Sequence, residues 1–349
     1  NNKTRESRLY FLQQLSEAKK LGSAEGGFFA ESVVMRGAAG APRHPVLKRV
    51  VAFGASLTMG SQDVTISKRG QLHGPMAQLA RSAGAYLSLP LIKPGLFPGI
   101  TLEDYDQTTC KPFRDDVFSI IREKAGDMLP RLRDANGNIA LSRSRVDPDI
   151  EVRNVAIGGF RLRQILEGGG DLLTMGIEHM VWNPYVDTAH LFDEPAEKMM
   201  DRVEALKPTL VLSTDLFGND YNNVGLGGDG IPDLESLTPM DEFRPQLAEI
   251  LRRLEATGAE VFLATGPDAT VLPQYDEKIA KLRAAGHSED DANGWREGIR
   301  VRIAEYNAEL MAQAAAYPRV HVVDMYSEVQ KVLATGVDVA GGHLDSQPL

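Results

Sequence analysis

The amino-acid sequence predicts an α/β fold, a three-layer α/β/α sandwich with a central parallel sheet of about five strands. Short apolar, β-branched segments alternate with segments of helical periodicity, and glycine or polar residues follow each apolar segment. This alternation is typical of right-handed βαβ units that form a parallel sheet covered on both faces. The predicted strands are residues 46–53, 152–157, 209–213, 260–264 and 320–324, and the predicted helices are residues 71–82, 162–166, 196–206, 240–256 and 295–316.

The chain of 349 residues is long enough for one α/β domain that carries insertions. Residues 1–46 join a polar stretch of helical pattern to a segment of small residues, and we interpret them as an N-terminal extension. Residues 47–349 then form the main domain. Within it, the stretches near 90–150 and 168–195 are rich in proline, glycine and charged residues, which predicts insertions at the rim of the sheet.

The composition excludes several classes of protein. The formal net charge is −10 and the basic residues are scattered, so we do not expect nucleic acid as a partner. No apolar run approaches the roughly 20 residues that a membrane-spanning helix needs. Cys110 is the single cysteine, which excludes an internal disulfide and a cysteine-rich metal site. We expect Cys110 to be a passive side chain.

A serine follows the first strong strand at a sharp bend. The strand ends in Phe53-Gly54-Ala55-Ser56, and the flanking glycines would let the backbone turn tightly, so that the Ser56 hydroxyl stands at the edge of the sheet. A serine hydroxyl is a weak nucleophile that needs a positioned base and a receptor for the oxyanion that it creates. Taken alone, this position of Ser56 favours a helix cap over a nucleophile.

Two later strand ends carry groups that could receive an oxyanion. Asn154 is followed by Gly159 five positions later, and Asn219 lies in a Gly-Asn-Asp segment after the next strand. A glycine can offer its backbone N–H at a tight turn, and an asparagine can offer its side-chain amide. An ordinary glycine turn and an Asx-type turn are the structural alternatives at these two positions.

These three segments resemble, in order and spacing, three sequence blocks of the SGNH (GDSL-type) hydrolases. The first block is usually Gly-Asp-Ser-Leu, and here Ala55 replaces the Asp; the third is Gly-x-Asn-Asp, and here Phe217 replaces the Gly. The resemblance covers most of residues 46–349. It is to a bacterial branch of exported esterase-like proteins, so it implies export to the periplasm, to the outer membrane or to the medium.

The resemblance implies a serine ester hydrolase without a cofactor. Ser56 would be the nucleophile, and the Gly159 N–H and the Asn219 amide would complete the oxyanion hole. The substrate would be a small-molecule, lipid or glycan ester, so the activity would be that of an esterase, a lipase or a carbohydrate O-acetyl esterase. The alternative is a catalytically inactive SGNH domain that serves as a binding or structural subunit.

The family's last block, Asp-x-x-His, supplies the catalytic base, and its spacing does not occur near Leu349. His343 follows Asp338 by five positions, and we expect it to lie on the surface of a hairpin, with only a weak claim to be the base. We therefore expect the Asp-x-x-His segment to lie beyond Leu349. We expect no metal site, either in the acidic loop with Asp229, Asp233 and Glu235 or at the scattered histidines His44, His73, His179, His190, His287 and His321.

Overall fold

The structure is a computed structural model, and it describes about three fifths of the chain. The described residues are 44–61, 68–93, 146, 150–168, 198–222, 234–339 and 342–344, with two-residue strands at 33–34, 105–106 and 111–112. Most of the predicted N-terminal extension and of the two predicted rim insertions lies outside them, as does Cys110. Residues 33–34 of the extension (β1, Val33–Val34) pair antiparallel with β3 (Leu87–Ser88).

A four-stranded parallel sheet confirms the predicted α/β class. Its strands are β2 (Val50–Ala52), β6 (Leu210–Ser213), β7 (Glu260–Ala264) and β8 (Val320–Val323), and they lie in the order β2-β6-β7-β8. Val50 pairs with Leu210, Leu210 with Glu260, and Val261 with Val320. The strands are rich in valine and leucine because the inner strands of a parallel sheet are buried on both faces. The remaining strands form two-residue pairs or hairpins, including β4 (Tyr105–Asp106) with β5 (Lys111–Pro112).

The predicted fifth strand, 152–157, is reduced to a single bridge. Asn154 pairs in parallel with Ala52, on the edge of β2 opposite β6. The Val155 N–H donates to the Ala52 carbonyl over 2.7 Å and the Ile157 N–H donates to the Gly54 carbonyl at 2.9 Å, but β2 ends at Ala52 and the chain turns at Gly54, so no longer ladder forms. Within the described residues the parallel sheet therefore has four regular strands, and the fifth predicted segment contributes this bridge.

Ten α-helices are described. They are α1 (Ser56–Met59), α2 (Lys68–His73), α3 (Pro75–Ala83), α4 (Leu162–Glu167), α5 (Met199–Ala205), α6 (Gly218–Asn222), α7 (Met240–Ala256), α8 (Pro273–Ala284), α9 (Glu289–Ala314) and α10 (Met325–Thr335). The prediction for 240–256 matches α7. The predicted helix 71–82 is instead divided into α2 and α3 at Gly74, and α8 and α10 were not predicted.

Helix α9 begins six residues before the predicted start at 295. Ser288 caps it: the Ser288 hydroxyl accepts from the Asp291 N–H at 3.1 Å, and the Asp291 carboxylate accepts from the Ser288 N–H at 3.2 Å. This reciprocal capping box satisfies two backbone donors at the helix start. Its Ser-x-x-Asp spacing is a local signal that extends the helix beyond its apolar pattern.

Alternate residues of the central strands face two separate apolar clusters. Val51 and Val211 lie in the larger cluster, with side chains from α4, α5, α7 and α9. Val50 and Leu210 lie in the smaller one, with Met76 and its neighbours on α3. Because successive side chains of a strand point to opposite faces, helices flank both faces of the sheet.

An aromatic cluster fixes α6 to the longer helices. Phe217, just before α6, lies 5.4 Å from Phe243 of α7 and 6.0 Å from Tyr306 of α9, both measured between ring centroids with the rings edge to face. Tyr221 of α6 is also fully buried, 6.4 Å from Phe217. Edge-to-face pairs of this kind add to the free energy gained from burial. The five-residue helix α6 is therefore held firmly against the core.

The hairpin predicted after residue 337 is present. Strands β9 (Val337–Val339) and β10 (Gly342–Leu344) pair antiparallel, with His343 opposite Asp338. Over the part of the chain that the structure describes, none of the helices combines the length and the apolar character required to cross a bilayer.

Leu251→Ala should lower the free energy of unfolding by about 2 to 5 kcal/mol. Leu251 of α7 is fully buried, and its truncation would leave a cavity among packed side chains. Val301→Ala on α9 is the control, since Val301 is 49% exposed and its truncation should cost no more than about 0.5 kcal/mol. Urea denaturation measures both variants. Equal losses would contradict the assignment of Leu251 to the core.

Candidate functional site

The strand order identifies one point where the chain changes direction across the sheet. After β2 the chain first forms the Asn154 bridge on one side of β2. It then returns to the other side of β2 as strand β6. In open parallel sheets, ligands bind at the carboxyl ends of the strands that flank such a reversal. Ser56 follows β2, Gly159 follows the Asn154 bridge, and Asn219 follows β6. All three predicted residues therefore lie at the carboxyl ends of the strands that flank the reversal.

A tight turn at Gly54 brings Ser56 out of β2. Gly54 has a φ of 122°, and a Cβ atom at this position would lie 2.4 Å from the Asp215 carbonyl oxygen. The Ala55 N–H donates to the same oxygen over 2.7 Å. Both the dihedral angle and the close approach of the two backbones therefore require glycine at position 54.

Helix α1 is held from both sides of the turn. On one side, the Asn154 side-chain amide donates to the Thr58 carbonyl at 2.8 Å. On the other, the Thr58 hydroxyl accepts from the Thr214 N–H at 3.1 Å. Asn154 and Thr58 are both 1% exposed. The four residues of α1 thus have their position fixed by both segments that neighbour β2.

The Ser56 hydroxyl contacts a buried carboxylate. Its Oγ donates to Asp215 Oδ2 at 3.4 Å, and the Leu57 N–H donates to the same oxygen at 3.1 Å. Ala55, not Ser56, is the N-cap of α1, so the helix-cap alternative for Ser56 does not apply. Burial raises the pKa of the Asp215 carboxyl above its ordinary value, while the hydrogen bonds it accepts act in the opposite direction.

Two backbone N–H groups at this edge are available to a ligand. Gly159 occupies a turn with a φ of 83°. Within the described residues, neither the Gly159 N–H nor the Ser56 N–H donates to a protein acceptor. Ser56 and Gly159 are both half-buried. Unsatisfied N–H groups of this kind are what an oxyanion hole requires.

Asn219 is connected to the Gly159 turn. Its side-chain amide donates to the Phe160 carbonyl at 3.0 Å, and the residue is 9% exposed. Asn219 lies inside α6, and its side chain bonds a residue 59 positions away, so the Asx-turn alternative does not describe it. An amide group carries two hydrogens, and the second is available for another acceptor.

Asp220 fixes α6 against α4. Its Oδ2 accepts from the Leu162 N–H at 3.1 Å, and its Oδ1 accepts from the Thr238 hydroxyl at 2.6 Å. Burial raises the pKa of Asp220 to about 6, against the opposing effect of these hydrogen bonds. With Asn219 bound to Phe160, two consecutive side chains of α6 hold the segment that carries Gly159.

Ala55 and Phe217, the two residues that depart from the family's motifs, are both buried and do not disrupt the turns at the carboxyl end of the sheet. Ala55 is fully buried and takes part through its backbone N–H. The Phe217 ring is 1% exposed and lies in the aromatic cluster with Phe243 and Tyr306. Phe217 therefore serves packing at the start of α6.

Sequence reasoning missed Asp215 and the pair Thr58 and Thr214. A signal for Asp215 was present, because a charged residue lies two positions after an apolar strand, at the edge that already carried Ser56. Thr58 and Thr214 gave no comparable signal. Their contact joins residues 156 positions apart.

None of the described histidines forms a hydrogen bond with Ser56. His44, His73, His287 and His321 are exposed and make no hydrogen bond with it, and the His321 ring pairs with Glu260 at 2.8 Å. His179, His190, Asp229 and Asp233 lie outside the described residues, as does the side chain of His343. No group of three or more potential metal-ligating side chains comes together in the segments that the structure describes.

Gly54→Ala should destabilise the fold more than Gly286→Ala does. Both glycines have a positive φ, which costs an alanine about 1 to 2 kcal/mol, but the space around Gly286 is open. At Gly54 the added methyl group would also displace the Asp215 backbone. Thermal melting of both variants measures the difference, and equal losses would show that the approach of Asp215 imposes no constraint.

Comparison with known proteins adds no assignment to this geometry. No protein-family model matches the chain, and no curated protein matches it significantly. Functional inference therefore rests on the residues at the carboxyl end of β2 and on the motifs that they form.

Proposed function

We propose that the chain is a serine ester hydrolase of the SGNH type, built on a three-layer α/β/α sandwich, which acts through an acyl-enzyme. The observation that carries the proposal is the combination of groups at one sheet edge. Ser56 follows the turn that Gly54 constrains. The N–H groups of Ser56 and Gly159 have no protein acceptor among the described residues, and the Asn219 amide bonds Phe160, the residue after Gly159. A helix cap or a packing role would not require this combination.

The first step of the proposed mechanism is attack by the Ser56 Oγ on the carbonyl carbon of an ester. A base takes the hydroxyl proton as the O–C bond forms, and the carbonyl π electrons move to the oxygen. The tetrahedral intermediate then collapses, the alcohol leaves with the proton, and the acyl group stays on Ser56. Water repeats the sequence and releases the acid.

The oxyanion would be bound by three donors, namely the Ser56 N–H, the Gly159 N–H and the Asn219 amide. Two of these are main-chain groups in turns fixed by hydrogen bonds to their neighbours, so they would need little rearrangement when negative charge develops. Preorganised donors of this kind usually contribute the largest share of catalysis in acyl transfer.

The base in this proposal is a histidine. In the described part of the chain no histidine contacts Ser56, and the expected Asp-x-x-His segment would supply one.

The same observation favours a second candidate function, an SGNH domain that binds its partner or ligand without turnover. Hydrolysis of p-nitrophenyl acetate by the purified protein separates the two, because a binding domain would show no turnover above background.

Ser56→Ala should abolish ester hydrolysis and leave the fold intact. Ser56 is half-buried, and its hydroxyl makes one long hydrogen bond, so its loss should change the melting temperature little. Turnover of p-nitrophenyl acetate and thermal melting measure the two effects. More than a few per cent of the wild-type rate in this variant would exclude Ser56 as the nucleophile.

Asn219→Ala should lower kcat about a hundredfold to a thousandfold and change KM much less, which is the usual effect of removing one oxyanion donor. Asn307→Ala is the matched control. Asn307 is another buried asparagine whose amide donates to a backbone carbonyl, that of Gly266 at 2.9 Å, and its loss should lower stability without a comparable effect on kcat. A change confined to KM would instead mark Asn219 as a substrate-binding residue.

A further inference from the structure

One carboxylate joins two segments that each carry a group of the proposed site. Asp215 Oδ2 accepts from the Ser56 hydroxyl and from the Leu57 N–H, while Oδ1 accepts from the Gly218 N–H at 3.1 Å. Ser56 and Leu57 begin α1, and Gly218 begins α6, whose next residue is Asn219. The position of the nucleophile and that of the side-chain amide are therefore set by the same side chain.

The hydrogen-bonding pattern requires a carboxylate at position 215. A backbone N–H can only donate, and one such group faces each oxygen of Asp215, Leu57 at Oδ2 and Gly218 at Oδ1. An asparagine in this place would turn its own NH₂ group toward one of them, donor against donor. Asp220 differs, because its Oδ1 faces the Thr238 hydroxyl, which can also accept.

Packing alone does not explain this residue. Asp215 is 9% exposed, and among the described residues no cationic side chain pairs with it or contributes to the shift of its pKa. A buried carboxylate without a cationic partner costs free energy, which hydrogen bonds offset only in part. Residues that carry such a cost occur preferentially at functional sites.

The three contacts differ in strength in a way that suits a nucleophile. The two backbone contacts of 3.1 Å are ordinary hydrogen bonds, whereas the Ser56 contact of 3.4 Å is long. The backbone of the turn is therefore held by ordinary hydrogen bonds, while the Ser56 hydroxyl is held only weakly and can rotate. Ser56 can turn its proton toward a base without moving α1.

We propose that Asp215 is a positioning residue, which fixes the position of the Ser56 hydroxyl relative to α6, the helix that carries Asn219. This inference rests on the proposed ester hydrolase function. Asp215 acts through Ser56 and Asn219 and does not itself take part in the transfer of the acyl group.

The test compares Asp215→Asn with Asp268→Asn. Asp268 is also buried, at 4% exposed, and an N–H group faces each of its oxygens, Thr270 N at 3.0 Å and Arg300 Nε at 3.1 Å. An amide therefore meets the same donor conflict at both sites, but Asp268 does not contact Ser56. The probes are p-nitrophenyl acetate for kcat and KM, and a fluorophosphonate for the rate constant of covalent labelling at Ser56, with thermal melting of each variant.

Asp215→Asn should lower kcat and the labelling rate together by about tenfold to a hundredfold, the loss expected when one or two hydrogen bonds to a charged group are disturbed, while KM changes by less than about threefold. Asp268→Asn should lose similar stability and keep the wild-type kcat. If Asp215→Asn does not fold, Asp215→Ser, which is smaller and has a hydroxyl that can accept, provides the same comparison.

Equal kcat values for the two asparagine variants would overturn the inference and leave the proposed function standing. If the wild-type protein neither hydrolyses the ester nor reacts with the fluorophosphonate, and Ser56→Ala behaves identically, the proposed function fails and the inference fails with it. A loss in Asp215→Asn that appears only in KM would also contradict a positioning role for the nucleophile.

Discussion

The hydrogen bonding of β2 along both of its edges is the constraint on which the rest of the site depends. β6 occupies one edge, and the segment around Asn154 occupies the other, so the chain that leaves β2 can only turn outward over the end of the sheet. Its three residues are almost completely buried and divide between two apolar clusters. A slip of one residue would exchange these two faces, so packing also fixes where Ser56 emerges.

The parts of the fold that could be predicted are those whose signals are local. Helix α7 and strand β7 have the predicted bounds because apolar periodicity and a continuous apolar run mark them directly. The location of Ser56, Gly159 and Asn219 at one edge also followed from the sequence, since carboxyl ends of parallel strands lie together.

The remainder depends on contacts between distant residues, which a linear pattern does not contain. The role of Asp215 is defined by donors from two segments, one of them 159 positions away. The segment 152–157 forms a single bridge because β2, its partner, ends at Ala52 before the turn at Gly54, and apolar periodicity within 152–157 does not register the length of a partner strand. Helix α8 was not predicted because it carries many polar residues and its apolar periodicity is weak. Helix α10 does carry a local signal, since Met325, Val329 and Val332 recur at helical spacing.

The three-way connection of α1, the Gly159 segment and α6 has a consequence for how the protein folds. Its hydrogen bonds join residues separated by 58 to 159 positions, so none of them can form until the chain has closed loops of that length. The site cannot assemble from a fragment that lacks β6, nor before the central strands have paired. Heating should therefore abolish the site together with the sheet, in one cooperative transition, and a refolding chain should acquire it late.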